Sequence, residues 1–188
     1  MLSFGLLVVL LLYLIFPQKY LMEQVLRTDR SDSLSVSYLT TLLRTDPLNT
    51  DLRLALAQQQ LRLGRYADAE AALRPLTNTI NVGDRLRARR LQYEVQEAEA
   101  YALPQGSTER AQAIAALVPR LKSLTSEPWD NASLAVFAEK ALALGDRRQG
   151  LGLYQRLVAR ASDDQPEWLG RTAELSLAQG EYQAAADL

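Results

Sequence analysis

A glycine that ends a helix-like stretch recurs three times in this chain. The three copies span residues Leu61–Ala69, Leu142–Gly150 and Leu177–Ala185, and in each an alanine or glycine follows the first glycine by five positions. Glycine at a helix end readily adopts the left-handed backbone conformation that closes the helix. The pattern therefore predicts a repeated unit of two helices joined by a glycine turn.

Small residues on both helices would let the two helices of a unit pack closely. Ala57, Ala138 and Ala173 stand seven positions before the three glycines, on the first helix of each unit. The residues predicted to define the repeat are Ala57, Gly64, Tyr66, Ala69, Gly145, Gly180, Tyr182 and Ala185.

This unit resembles the tetratricopeptide repeat (TPR), a helix–turn–helix motif of about 34 residues. Gly145 and Gly180 are 35 residues apart, whereas Gly64 and Gly145 are 81 apart, which leaves room for a longer, degenerate helical pair between them. Good helix formers dominate the composition, and Val and Ile are scarce. The fold class predicted is all-α, a TPR-like solenoid of helical hairpins preceded by one N-terminal transmembrane helix.

Breaks in the pattern divide the chain into six segments. These are a membrane anchor (1–22), a linker helix with a partial first repeat (23–48), a TPR (49–83), a degenerate long helical pair (84–127), a TPR (128–165) and an incomplete TPR (166–188). Asp84 and Ser107 are predicted to cap the two helices of the long pair. The last repeat stops within its second helix, so we expect a longer protein.

The N-terminal segment is apolar, and no charged side chain stands before Lys19. A helix over residues 1–22 would span roughly 33 Å, enough to cross the hydrocarbon core of a bilayer. An uncleaved anchor is favoured, with lipid contacts from Phe4, Leu7, Leu11, Tyr13 and Phe16. A cleaved signal peptide, which should have a basic start and small residues before its cleavage site, and a buried core helix are the alternatives.

The amino-acid composition excludes several classes of function. The chain has no Cys and no His, which excludes thiolate zinc sites, Cys nucleophiles and His-based catalysis. Its net charge is −1, with 21 basic and 22 acidic residues, and this balance argues against nucleic-acid binding. The basic run at Arg85–Arg90 and the pair Asp163–Asp164 are interpreted as solvated surface and turn residues. We predict a binding protein rather than an enzyme, with no catalytic residue, cofactor or metal.

The TPR resemblance also implies where partners bind, because the first helices of TPR units line a concave groove. The residues predicted for this groove are Leu54, Gln58, Leu61, Arg62, Glu139, Leu142, Glu174 and Leu177. Trp129 and Trp168 precede or begin first helices and are interpreted as packing residues between repeats.

The order of features, from the apolar start through Phe16-Pro17 and the repeat at 32–76 to the LPQGSTERAQ stretch at 103–112, resembles the PelB-like family. These are TPR-containing outer-membrane proteins of exopolysaccharide export. The resemblance implies an inner-membrane, single-pass anchor and a repeat region in the periplasm. It implies protein partners from a polysaccharide synthesis and export complex, with the polymer as a further candidate. Lys19, Arg27 and Arg30 alone would place the repeats in the cytoplasm, but we follow the resemblance. The alternative is a TPR assembly or chaperone scaffold for another envelope complex.

Overall fold

The computed structural model describes residues 33–160 and 166–186, and within these ranges it contains helices and no strand. In chain order the helices are α1 Ser33–Thr45, α2 Thr50–Arg62, α3 Tyr66–Leu73, α4 Val82–Ala102, α5 Thr108–Leu124, α6 Asn131–Ala143, α7 Arg147–Arg160, α8 Pro166–Ala178 and α9 Tyr182–Ala186. The predicted all-α class is confirmed for this part of the chain.

The membrane anchor predicted over residues 1–22 lies outside the described residues. Its proposed lipid-facing side chains, Phe4, Leu7, Leu11, Tyr13 and Phe16, lie there too. Among the helices that are described, none is long and apolar enough to cross a bilayer. The anchor therefore stays a prediction.

The chain separates between Ala72 and Leu73 into two compact units. In the first unit, α1 packs against α2, and α3 follows through a turn at Gly64. The α1 side chains Val36 and Leu39 and the α2 side chains Leu52 and Leu56 are buried and form part of the apolar core. The described part of this unit, from residue 33 onward, is therefore built of short helices around a small apolar core.

Each repeat glycine closes its helix in the same way. Gly64, Gly145 and Gly180 have φ angles of 70°, 83° and 78°. In the second copy, the Gly145 N–H donates to the Leu142 carbonyl at 2.9 Å, and the next N–H, of Asp146, donates to the Ala141 carbonyl at 2.9 Å. The same pair of hydrogen bonds recurs at the other two glycines. This is the Schellman helix ending, which favours glycine because an L side chain is strained there, and the predicted left-handed turns are confirmed.

The second unit begins with the hairpin of long helices α4 and α5. The cap predicted at Asp84 is wrong, because α4 starts earlier in the chain and the side chain of Asn81 accepts a hydrogen bond from the Asp84 N–H at 3.1 Å. Asp84 instead stands in the first turn, where a carboxylate is favoured by the helix dipole. The cap predicted at Ser107 is confirmed, since its hydroxyl accepts from the Arg110 N–H at 3.1 Å.

Helices α6, α7 and α8 complete the second unit. Helix α7 packs against both α6 and α8, and buried side chains from α4 to α8 form one apolar cluster. Phe137 and Leu157 are among its most deeply buried members. This cluster fixes α6 and α8 around α7, and those two helices carry most of the surface described in the next section.

Ala57 and Ala69 test the predicted register of the first hairpin. Both side chains are completely buried, at 0% exposure. Replacing either with Leu adds three carbon atoms in a packed interior, which typically costs about 1–3 kcal/mol of unfolding free energy. Chemical denaturation should detect this loss in both variants. Unchanged midpoints for both would contradict the predicted close approach of α2 and α3 at these residues.

Two glycines in α7 provide a matched test of packing against α6. A Cβ at Gly150 would lie 2.5 Å from Leu142 Cδ2 and 2.8 Å from Leu142 Cγ, whereas a Cβ at Gly152 meets no atom within 4 Å. Both Gly→Ala changes gain about 1 kcal/mol of helix propensity. We expect Gly152→Ala to stabilise the protein and Gly150→Ala to be less stable than Gly152→Ala by about 1–3 kcal/mol, the cost of overpacking.

Thermal and urea unfolding of these two variants separate the effects, since the propensity gain is common to both. Equal stabilisation by the two substitutions would show that Leu142 gives way freely and that Gly150 is not required for the α6–α7 approach.

Candidate partner-binding groove

A groove of about 1000 Å³ opens in the second unit, mainly between α6 and α8, and we call it the α6–α8 groove. Its lining consists of Glu97 from α4; Ala135, Val136, Glu139, Lys140 and Ala143 from α6; Tyr154 from α7; and Glu167, Trp168, Gly170, Arg171 and Glu174 from α8. Because α6 and α8 are the first helices of their hairpins, the groove lies where the TPR resemblance places a partner.

The apolar part of the groove consists of a strip along α6 and of Trp168 on α8. Ala135, Val136 and Ala143 recur at helical spacing, and the Val136 side chain remains 42% exposed. Trp168 is partly buried and packs against the apolar cluster beneath the groove. An exposed valine beside an anchored indole is a surface on which an apolar side chain of a partner could be desolvated.

Charged side chains join the two walls of the groove. Glu139 on α6 accepts a hydrogen bond from the Tyr154 hydroxyl at 2.5 Å and lies 3.4 Å from Arg171 Nε on α8. Arg171 also pairs with Glu174, with 2.8 Å between Nη1 and Oε2. These contacts hold Glu139 and Arg171 in place before any partner arrives.

Two members of this network, Tyr154 and Arg171, have raised pKa values. Burial, and then the Glu139 carboxylate, raise the pKa of Tyr154 to about 12, so its hydroxyl stays a donor at neutral pH. The hydrogen bond to Glu174 is the main reason that the pKa of Arg171 is raised above its ordinary value. The Tyr154 hydroxyl and the Arg171 guanidinium therefore keep their protons throughout the physiological pH range.

A second ion pair closes the α4 side of the groove. Lys140 Nζ contacts Glu97 Oε2, and the same ammonium lies 5.7 Å from the centroid of the Tyr93 ring. The pKa of Tyr93 is raised above its ordinary value, mainly by burial and then by the nearby Glu97 carboxylate. Lys140 is thus held between a carboxylate and an aromatic face, and its charge is largely compensated.

The carboxylates outnumber the cations in the groove. Four glutamates line it, at positions 97, 139, 167 and 174, against the two cations Lys140 and Arg171. Both cations are already paired with these glutamates. The groove therefore carries a formal excess of two negative charges beside an apolar strip.

The residues predicted for the groove of the second unit divide into two pairs. Glu139 and Glu174 line the α6–α8 groove, whereas Leu142 and Leu177 are not among its lining residues. Leu142 is partly buried and packs against the apolar cluster, and Leu177 is 51% exposed. The predicted repeat residues Tyr182 and Ala185 lie on the short helix α9, where the Tyr182 side chain is 71% exposed.

The predicted residues of the first unit all lie on α2. Gln58 and Arg62 are exposed, and Leu54 and Leu61 are partly buried. Their partner-binding role stays a prediction.

Sequence reasoning missed the side chains that give the α6–α8 groove its chemistry. These side chains are Val136 and Lys140 on α6 and Trp168 and Arg171 on α8. Extending the predicted faces by one helical turn would have found Val136 and Arg171, three residues before Glu139 and Glu174. It would not have found Lys140, which is adjacent to Glu139, or Trp168, six residues before Glu174. The packing role predicted for Trp129 is confirmed in the buried cluster, and Trp168 packs against that cluster while lining the groove.

The arginines at the start of α4 form ion pairs with nearby glutamates. Arg85 and Arg89 both approach the Glu127 carboxylate, and Arg90 pairs with Glu94 at 3.1 Å. These ion pairs support the interpretation of the run as solvated surface. Within the described ranges, no group of three or more His, Cys, Asp or Glu side chains is placed to hold a metal ion.

Comparison with known proteins supports the same class of fold. The tetratricopeptide repeat family matches residues 35–91. A thermophilic TPR protein from Thermus thermophilus has a similar structure, with a TM-score of 0.52 and 19% sequence identity over 89% of this chain and 81% of that one. No curated protein matches this chain.

Residues 35–91 therefore match the tetratricopeptide repeat family, and the fold of the chain is similar to that of a TPR protein. At 19% identity, the similarity to the Thermus protein shows the fold alone. TPR repeats are protein-interaction scaffolds, and they bind protein partners in general.

Proposed function

We propose that this chain is a membrane-anchored periplasmic TPR scaffold that binds protein partners in bacterial exopolysaccharide export, with the polymer as a further candidate ligand. The observation that carries the binding role is the α6–α8 groove, which combines an exposed apolar strip with charged side chains fixed by mutual contacts. The mechanism is placement of partners, without bond chemistry.

The cellular setting in this proposal is supported by the sequence. The uncharged apolar segment before Lys19 has the length of a membrane span and lacks a recognisable cleavage site. The order of segments resembles PelB-like export proteins, in which the repeats lie in the periplasm. A single N-terminal anchor would hold the groove close to the membrane where polymer leaves its synthase.

Topology provides the first test. The tagged full chain is expressed in a Gram-negative host, spheroplasts are treated with protease, and the membrane-extracted protein is examined by mass spectrometry. We expect an intact N-terminal peptide and digestion of the repeats. A mature N-terminus near Gln18 would contradict the predicted uncleaved anchor. Protection of the repeats in sealed spheroplasts would place them in the cytoplasm, as the charges of Lys19, Arg27 and Arg30 suggest.

A scaffold for another envelope complex is the second candidate function, because the TPR fold supports it equally. Deletion of the gene in its native host separates the two. Loss of secreted polymer while polymer synthesis continues inside the cell supports export. Normal secretion, accompanied by a defect in another envelope assembly, supports the second candidate.

A further inference from the structure

We infer that the α6–α8 groove binds a basic amphipathic segment of a partner protein, one that presents a large apolar side chain flanked by Lys or Arg. This inference rests on the proposed scaffold function and specifies the chemistry of its partner. It is carried by charge complementarity, by the arrangement of the carboxylates and by the exposed apolar strip between them.

The carboxylates that remain open to a ligand lie on both walls of the groove. The Glu139 side chain is 54% exposed, and that of Glu174 is 67% exposed, although both contact Arg171. Glu167 is also exposed, and among the described side chains it has no ion-pair partner. A cationic ligand could therefore contact carboxylates without first displacing a buried ion pair.

The two cations of the groove are poorly placed to attract an acidic ligand. Lys140 is only 25% exposed and is held by Glu97 and the Tyr93 ring. Arg171 is shared between Glu139 and Glu174. An anionic partner would have to compete with these internal carboxylates while approaching the remaining negative charge, so like-charge repulsion disfavours it.

Spacing along α8 sets the separation of the ligand's charges. Glu167 and Glu174 are seven residues apart, which corresponds to roughly 10 Å along a helix. Trp168 follows Glu167 in the sequence and lines the groove from α8, and Val136 lines it from α6. Basic side chains about two helical turns apart, with an apolar side chain between them, fit this order of acidic, apolar and acidic surface.

Calorimetric titration of the full chain in zwitterionic nanodiscs tests the inference, with empty nanodiscs as the blank. The probes are three helix-forming peptides of Leu and Ala that carry Lys, Glu or Gln at the same positions. We expect the Lys peptide to bind at least about tenfold more tightly than the Glu peptide, and its affinity to fall when NaCl is raised from about 0.05 to 0.5 M, because salt screens exposed charges.

Variants locate the binding surface. The double variant Glu167→Gln/Glu174→Gln should weaken the Lys peptide about tenfold, or about threefold for each exposed carboxylate. Val136→Ser should weaken it about fivefold through loss of apolar contact. The matched control is Glu99→Gln, an exposed position on α4 outside the groove lining, which should leave the affinity unchanged. Circular dichroism and melting temperature establish that each variant is folded.

The outcomes distinguish this inference from the scaffold proposal. Equal affinity for the Lys and Glu peptides, or an unchanged Lys affinity in the double glutamate variant, would overturn the assignment of a basic ligand. Failure of all three peptides to bind would also overturn it. In each case the scaffold proposal is decided separately, by the spheroplast topology and the polymer-secretion experiments.

Discussion

Phe137→Ala is expected to lower the free energy of unfolding by about 3–5 kcal/mol, the usual cost of removing a buried phenylalanine ring. Phe137 is 1% exposed and packs edge-on against Trp129, with ring centroids 5.0 Å apart and an interplanar angle of 76°. Because small domains are stable by only about 5–15 kcal/mol, this single change should remove a large part of the stability. Urea denaturation followed by circular dichroism measures it.

Val136→Ala is the matched control, since it changes the adjacent position on the same helix. Val136 is 42% exposed in the α6–α8 groove, so its truncation removes little buried surface and replaces a β-branched residue by a better helix former. We expect a change within about 0.5 kcal/mol. A similar loss of stability in the two variants would mean that the assigned inner and outer faces of α6 are wrong.

The helical hairpins could be predicted because the constraint that specifies them is local. At Gly64, Gly145 and Gly180, the glycine ends a helix and two backbone N–H groups donate to carbonyls of the preceding turn. All of these contacts join residues that are close in the sequence. The sequence signature of this helix ending needs no knowledge of the rest of the fold. The start of α5 at Ser107 was predictable for the same reason.

The start of α4 shows where local reasoning fails. Asn81 and Asp84 are both good N-cap residues, and Gly83 between them favours neither register by propensity alone. The Arg85 and Arg89 side chains donate to the Thr79 and Thr77 carbonyls. These hydrogen bonds to the preceding turn are found together with the earlier start of the helix. A periodic sequence pattern does not predict such contacts between a helix and the turn before it.

The candidate groove was predictable only in part, for a similar reason. Repeat phasing placed Glu139 and Glu174 on helix faces that line the α6–α8 groove, because those faces follow from the position of the glycine turns. The contact of Lys140 with Glu97, across 43 residues of sequence, depends on how two hairpins pack, and that of Tyr154 with Glu139 depends on how α6 and α7 pack within one hairpin. Sequence spacing therefore found carboxylates of the groove, but it could not find the network that fixes them.

Trp129 joins the ends of three helices, and its replacement should have an effect as large as that of Phe137. Its indole N–H donates to the Leu124 carbonyl at 2.7 Å, where α5 ends, and its own carbonyl accepts from Arg160 Nη1 at 3.1 Å, at the end of α7. The side chain is 8% exposed just before α6. Trp129→Ala should therefore lower the unfolding free energy by about 3–5 kcal/mol.

Trp129→Phe separates the ring from the hydrogen bond. The Leu124 carbonyl also accepts from the Glu127 N–H at 3.2 Å, so it keeps one partner when the indole is removed. The loss should be about 0.5–1.5 kcal/mol for the missing hydrogen bond, together with a smaller contribution from the lost ring volume. If Trp129→Phe were as destabilising as Trp129→Ala, the hydrogen bond would matter more than the packing of the ring.

A double-mutant cycle of Trp129→Ala and Phe137→Ala measures the coupling directly. Because the rings meet edge to face, the double variant should be less destabilised than the sum of the two single variants, by about 0.5–1.5 kcal/mol. Strict additivity would contradict the contact. Since Trp129 ties α5 and α7 to the start of α6, loss of this contact should also loosen the wall that carries Val136 and Glu139. The Trp129→Ala variant should then bind the Lys peptide more weakly, even under conditions in which it remains folded.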